Sequence, residues 1–395
     1  MRIFAGISKI VMKVLFVCNN AYNPGNGLST SVKNTMAALR RHGVDARLMA
    51  VRNPDPDGPQ PDFPLEHFKF PLLEPIIYAN GFCFARNDRK RIDEAVRWAD
   101  IVHFEEALPL EYTVCKVARK LGKACTATYH LYPHNIAANL GLGRHNLLNG
   151  PLMRLWMRIV FDHCSDIQCP TQEVERYLRR FRPRARLHVI SNGILLPEEP
   201  VRAASVSPEA PVNILCIGRL AAEKSQETLL EAVRYSRYAD RIRLIFGGNG
   251  PKGKRYRKIA GRLHAQGVLK IAPVFGFYSH EQIAELVRGS YLYIHCAWVE
   301  VEGLSCLEAM REGIVPVIAE GELIGTSAFA LCPESLYPVR DSRALAARID
   351  WWIEHPRERD AMAQRYADAA RNYGIDRSVE ALIAMYRQSL ASSAR

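Results

Sequence analysis

No two cysteines in this 395-residue chain form a C-x-x-C pair. The ten cysteines, Cys18, Cys83, Cys115, Cys125, Cys164, Cys169, Cys216, Cys296, Cys306 and Cys332, are scattered singly. That pattern indicates neither a zinc ribbon nor a thioredoxin-type redox site. It suits a reducing cytoplasm better than a disulfide-stapled secreted domain. Long apolar runs are missing too, since none approaches the roughly 20 residues that a membrane-spanning helix needs. Residues 1–11 are weakly basic and too short and broken for a secretory signal; they read as an extension ahead of a first strand. Acids are outnumbered, 41 against 53 cations, which leaves a formal net charge of +12. Such a balance attracts phosphate on nucleotides, nucleic acid or anionic lipid without choosing among them. The basic stretches lack the interleaved aromatic platforms of single-strand binders, so no nucleic-acid partner is expected.

Hydrophobic residues make up 48% of the chain, enough for sizeable cores. The length suggests two to three domains. Lys13-Val-Leu-Phe-Val-Cys18 is a continuous apolar run, the mark of a strand buried on both faces of a parallel sheet. A glycine-bearing loop, 19–27, and a helix over about 28–42 follow. Gly25 and Gly27 let backbone approach a ligand at that helix start. Further strands are expected at 101–104, 124–130 and 166–169. Residues 196–211 have a linker composition. The βα rhythm then restarts at Val212-Asn-Ile-Leu-Cys-Ile-Gly218. The expected organisation is α/β: one doubly wound Rossmann-like domain over 12–195, a second over 210–370, and a terminal segment over 371–395.

The stretch richest in chemistry is Trp298 to Ala309, W-V-E-V-E-G-L-S-C-L-E-A. It follows a strand-like run and leads into a helix. Gly303, Leu304 and Ser305 lie at the helix start, where backbone N–H groups have no intrahelical partner and a phosphate can settle. Glu300 and Glu308 flank that cradle, with seven residues between them. Arg219 and Lys224 place two cations after the strand ending at Gly218, and arginine can grip a diphosphate through two parallel hydrogen bonds. His130 ends the strand 124–130, and ligands in open α/β sheets gather at such carboxyl ends. Asp55 and Asp57 spell D-x-D but sit among prolines, where a solvated turn is the better account. His103, Glu105 and Glu106 are too close in sequence for a helical metal pair, and no metal site is expected.

These motifs resemble glycosyltransferase family 4 of the GT-B fold. Its usual signature is E-G-F-G-L-x-x-L-E-A followed by C-G-x-P-V-I-A. Here Val301 and Glu302 stand in place of Gly-Phe, and the run continues to Gly313-Ile-Val-Pro316-Val-Ile-Ala319. The G-R-L-x-x-x-K-G signature appears as G-R-L-A-A-E-K-S, with Ser225 for the last glycine. Gly247-Gly248-Asn249-Gly250-Pro251 is similar to the family's G-x-G-P turn, and the segment around Phe275 to the one whose backbone edge holds the nucleotide base. The resemblance implies retaining transfer of a hexose from a UDP- or GDP-linked donor, with no metal and no cofactor beyond that substrate. In it His130, Glu300, Arg219 and Lys224 act in catalysis. Gly27, Gly248, Phe275, Gly303, Leu304, Ser305 and Glu308 hold the donor. It also implies a terminal helix that crosses back onto the first domain. The motif form is similar to bacterial enzymes acting on lipids or cell-envelope glycans, which points to a cytoplasmic enzyme with peripheral contact on an anionic membrane. The alternatives are a sugar-nucleotide epimerase or phosphorylase of the same fold, or a basic nucleic-acid or anionic-surface binding protein.

Overall fold

The computed structural model describes residues 11–23, 27–72, 74–79, 82–139, 141, 147–203, 205, 207–209 and 211–393. Gly25 lies outside them. Apolar strands alternate with amphipathic helices, and this rhythm forces parallel pairing, because each strand must be regained through a crossover. The first sheet holds β1 (Lys13–Val17), β2 (Asp45–Val51), β3 (Phe63–Leu65), β4 (Ile101–Phe104), β5 (Ala124–Thr128), β6 (Asp166–Cys169) and β7 (Arg186–Val189). Its order is β3-β2-β1-β4-β5-β6-β7. The second holds β8 (Val212–Ile217), β9 (Ile242–Gly247), β10 (Val274–Gly276), β11 (Leu292–His295), β12 (Val315–Glu320) and β13 (Leu336–Pro338), in the order β10-β9-β8-β11-β12-β13. Among the described residues the named strands all pair in parallel. Both sheets are doubly wound, and the GT-B architecture is present.

The last helix, Ile375–Ser393, packs on the first sheet although it follows the second. Its Ile375, Val379, Leu382, Met385 and Tyr386 share one core with Val14, Phe16 and Leu48. The outgoing and returning chains meet at Ile194. Its N–H donates to Tyr373 (2.8 Å), and its carbonyl accepts from Ile375 (2.9 Å).

Several element bounds differ from those read in the sequence. The proline-rich stretch contributes β3, an edge strand, where Pro64 is tolerated because a sheet edge does not need its missing N–H. Asp55 and Asp57 lie in a turn just before it, with Asp57 N–H donating to the Asp55 carboxylate (3.1 Å). The basic segment 85–97 becomes helical only at Arg89, because Asp88 caps it by accepting from Arg91 N–H (3.1 Å). The apolar run after Leu148 forms the helix Asn149–Ile159.

Candidate active site

In the second sheet β8 is central, and the chain leaves it towards β9 on one side and β11 on the other. Ligands in open α/β sheets settle outside the carboxyl ends at such a switch point. Arg219 and Lys224 follow β8, while Glu300, Gly303, Ser305 and Glu308 follow β11. Gly303 caps the helix Leu304–Arg311 in a left-handed conformation (φ 82°). A Cβ there would lie 2.4 Å from the Thr326 hydroxyl, so both backbone and space demand glycine. The Ser305 hydroxyl bonds the Tyr293 hydroxyl (2.8 Å) and the Ile217 carbonyl (3.4 Å), tying the helix start to both strands. Glu308 sits half-buried in the second turn.

Each cation of the crevice holds a carboxylate. Lys224 pairs with Glu300, and His295 Nε2 stands 3.4 Å from the same oxygen. Burial raises the Glu300 pKa, but Lys224 and His295 outweigh it and hold the carboxyl at about 2. Arg219 pairs with Glu223, which is buried in the turn after β8. Ser225 keeps the left-handed backbone (φ 50°) that a glycine would adopt more easily.

Gly248 serves packing more directly than ligand approach. A Cβ on it would meet the Gly218 carbonyl oxygen at 2.2 Å, so the turn 247–251 presses on the backbone that positions Arg219. The Phe275 ring stacks on Phe246 (centroids 4.7 Å apart, 15°) and carries Arg257 on it (5.1 Å). Its strand, β10, is the outer edge of the sheet.

The first sheet reverses direction between β1 and β4. Gly27 opens the helix Gly27–Arg41 after β1, and a Cβ there would meet nothing within 4 Å. Beyond β4 lie three buried carboxylates, Glu105, Glu106 and Glu111. Asn19 satisfies two of them: its side-chain amide donates to Glu111 (2.9 Å) and its backbone N–H to Glu106 (3.0 Å). Glu105 instead bonds His130 Nε2 at 2.6 Å. Burial raises the Glu105 carboxyl, but His130 and His103 bring it below its usual value. His103 is held between the Thr126 and Thr128 hydroxyls, 2.8 Å from each, and burial lowers its pKa to about 4. It is a core histidine. Among the described residues no group of three or more His, Cys, Asp or Glu is arranged to hold a metal.

The two halves touch through the stretch 298–302. Trp298, Val299 and Val301 are buried in the core of the first domain, and the Thr171 hydroxyl donates to the Val301 carbonyl (3.2 Å). The structure thus gathers Arg219, Lys224, Glu300, Gly303, Ser305 and Glu308 around one crevice. His130 belongs to the first domain, where its Nε2 bonds Glu105. Gly248 presses on the Gly218 backbone, and Phe275 lies on the edge strand β10. Sequence reasoning missed Glu105 and Glu223, the partners of His130 and Arg219. Neither had a local signal, since Arg219 and Glu223 meet through a turn and not through helical spacing.

Two family models match the chain: Glycosyltransferase Family 4 over residues 25–196, and Glycosyl transferases group 1 over residues 197–372. They abut without a gap, and the chain belongs to the glycosyltransferases built from these two domains. Among solved structures, sucrose-phosphate synthase from Thermosynechococcus elongatus is 17% identical over 96% of this chain and 100% of its own, with a TM-score of 0.70. Anabaena Alr3699/HepE in complex with UDP-glucose is 17% identical over 95% of this chain and 100% of its own, also at 0.70. The catalytic domain of cholesterol-alpha-glucosyltransferase from Helicobacter pylori is 39% identical over 41% of this chain and 100% of its own, at a TM-score of 0.37. No curated protein sequence matches.

Proposed function

We propose that this glycosyltransferase moves a hexose from a UDP- or GDP-linked donor to a lipid or cell-envelope glycan acceptor, with the anomeric configuration retained. The observation that carries the donor half is the crevice at β8 and β11, where two cations and a helix start converge between two carboxylates. A structural neighbour holds UDP-glucose in the same fold.

On this reading the diphosphate lies on the N–H groups of Gly303 to Ser305. Its charge draws Arg219 and Lys224 away from Glu223 and Glu300. The two cations then stabilise the negative charge that builds as the sugar–phosphate bond breaks. Glu300, released from Lys224, accepts from sugar hydroxyls, while Glu308 accepts from the ribose. Glu105 holds one nitrogen of His130, so the ring presents its other edge to the sugar. The acceptor oxygen bonds the anomeric carbon on the face the diphosphate leaves, and a diphosphate oxygen takes the acceptor proton. The two cations and the helix start carry the charge, so no metal or further cofactor is required.

The acceptor half rests on surface chemistry. Between Glu111 and Asp162 the chain has no acidic residue. Within that span Leu148 (61% exposed), Leu155 (50%) and the half-buried Leu152 and Ile159 follow one stripe of the helix Asn149–Ile159, flanked by exposed Arg154 and Arg158. A basic, apolar helix face of this kind suits an anionic lipid surface. The arginine run 176–186 suits it less, because four of its six cations are engaged. Arg176 pairs with Glu173, Arg179 with Glu175, Arg180 with Glu322 and Arg186 with Asp166. Among the described residues no helix is long and apolar enough to cross a membrane. The test is nucleotide release: incubation with UDP- or GDP-glucose should liberate the diphosphate only when a lipid acceptor in vesicles, or an envelope glycan, is added. Release without acceptor, or none with any acceptor, would reject the reading.

A further inference from the structure

Glu302 stands between Glu300 and Gly303, inside the loop that forms the cradle, where the family pattern usually has an aromatic residue. It is 2% exposed. Its carboxylate reaches out of its own domain. It accepts from the Ser191 hydroxyl, from the Asn192 backbone N–H (3.1 Å) and from the Asn192 side-chain amide (2.6 Å). Ser191 and Asn192 lie just beyond β7, where the first domain hands over to the second. The next residues form the crossing point. Gly193 N–H donates to the Ser191 hydroxyl (3.0 Å), and Ile194 exchanges backbone bonds with the returning chain at Tyr373 and Ile375. One carboxylate therefore joins the cradle loop to the place where both interdomain connections pass.

The loop is pinned on either side of that carboxylate. Thr171 of the first domain donates to the Val301 carbonyl, and Thr326 of the second donates to the Glu302 carbonyl (2.9 Å). A phenylalanine at 302 would fill space but accept none of the three bonds. A buried carboxylate without partners is costly, so it persists only where donors meet it. Here burial pushes the carboxyl up to about 7, while Ser191, Asn192 and His130 act to lower it.

We propose that Glu302 is a positioning residue that clasps the interdomain crossing and thereby sets the orientation of the loop 300–305 on which the nucleotide diphosphate rests. The proposal depends on the nucleotide-sugar reading only for the choice of ligand. The clasp also fixes how closely the two domains approach, which is measurable without any ligand.

The test uses the full chain, UDP as probe, and two readouts: UDP affinity by calorimetry and the radius of gyration by small-angle scattering. Glu302→Ala should weaken UDP binding about tenfold, the scale of one charge-assisted hydrogen bond, and expand the free protein. Asn192→Ala should do the same. The double variant should be no worse than the weaker single, because both changes remove one interaction. Glu302→Gln keeps an acceptor oxygen and should stay within about threefold of the wild type. Wild-type affinity and scattering in Glu302→Ala would overturn the proposal. So would effects that multiply in the double variant, or a loss of thermal stability with UDP affinity unchanged. If Glu302→Ala does not fold, Asn192→Ala and Glu302→Gln carry the same comparison. If the wild type binds neither UDP nor, in the same assay, GDP, the functional reading fails, and scattering alone decides the clasp: expansion supports it and an unchanged profile overturns it.

Discussion

Lys224 and Glu300 hold each other in the crevice, and so do Arg219 and Glu223. Two cations that already have partners can still serve a diphosphate, because a doubly charged ligand outcompetes a single carboxylate at close range. Arg219→Ala and Lys224→Ala should each lower turnover by roughly 10²–10³, the scale for losing one electrostatic stabiliser. Together they should lower it by less than the product, since both act on one group. Steady-state kinetics on the single and double variants checks this. The buried carboxylates also set a pH dependence. Glu302 is raised to about 7 from an ordinary 4.5, so its contribution to stability is present below 4.5 and is lost as pH rises through 7. At a little over 1 kcal/mol per pKa unit, the swing is on the order of 3 kcal/mol. Glu300 runs the other way: its contribution is present above 4.5 and is lost as pH falls through about 2. Glu302→Gln should therefore lose less melting temperature than the wild type between pH 5 and pH 8, as followed by thermal unfolding. Motif residues such as Glu300 and Lys224 were legible because their spacing is local. Glu105, Ser191 and Asn192 were not, because their partners stand 25, 111 and 110 residues away.

At the scale of elements, apolar runs were the legible part. β1, β8 and β11 are predominantly hydrophobic and largely buried, and their pattern declares a parallel sheet. β3 escaped notice because it is only three residues long, contains Pro64 and follows a proline-rich turn. Charge runs were less legible. Four of the six arginines in 176–186 meet carboxylates on neighbouring turns, strands or the other domain. The helix Asn149–Ile159 offers the better face. Leu155→Glu with Arg154→Glu and Arg158→Glu should weaken binding to anionic vesicles strongly, since each cation near such a surface contributes about 1 kcal/mol. Melting temperature should change little, because all three side chains are exposed. Vesicle co-sedimentation at low and high salt measures it. Equal binding by the triple variant and the wild type would remove this helix from the interface.

Over the whole molecule, the two-domain α/β plan followed from a βα rhythm that stops near residue 196 and restarts at Val212. What the rhythm could not convey is how the halves meet. Val301 and Glu302, which only broke a motif in the sequence, turn out to enter the other domain. That contact depends on tertiary geometry, and no periodicity encodes it. The crevice at β8 and β11 is nonetheless the centre of the account, and ligand-linked stability in the presence of a chelator tests it most directly. A UDP- or GDP-linked sugar at 100 times its Kd should stabilise the wild type by about 2.7 kcal/mol, with no divalent cation present. The same addition to Glu308→Ala or Lys224→Ala should give a clearly smaller shift. No shift with any nucleotide sugar, or a shift that requires Mg²⁺ or Mn²⁺, would contradict the assignment of this crevice as a metal-free donor site.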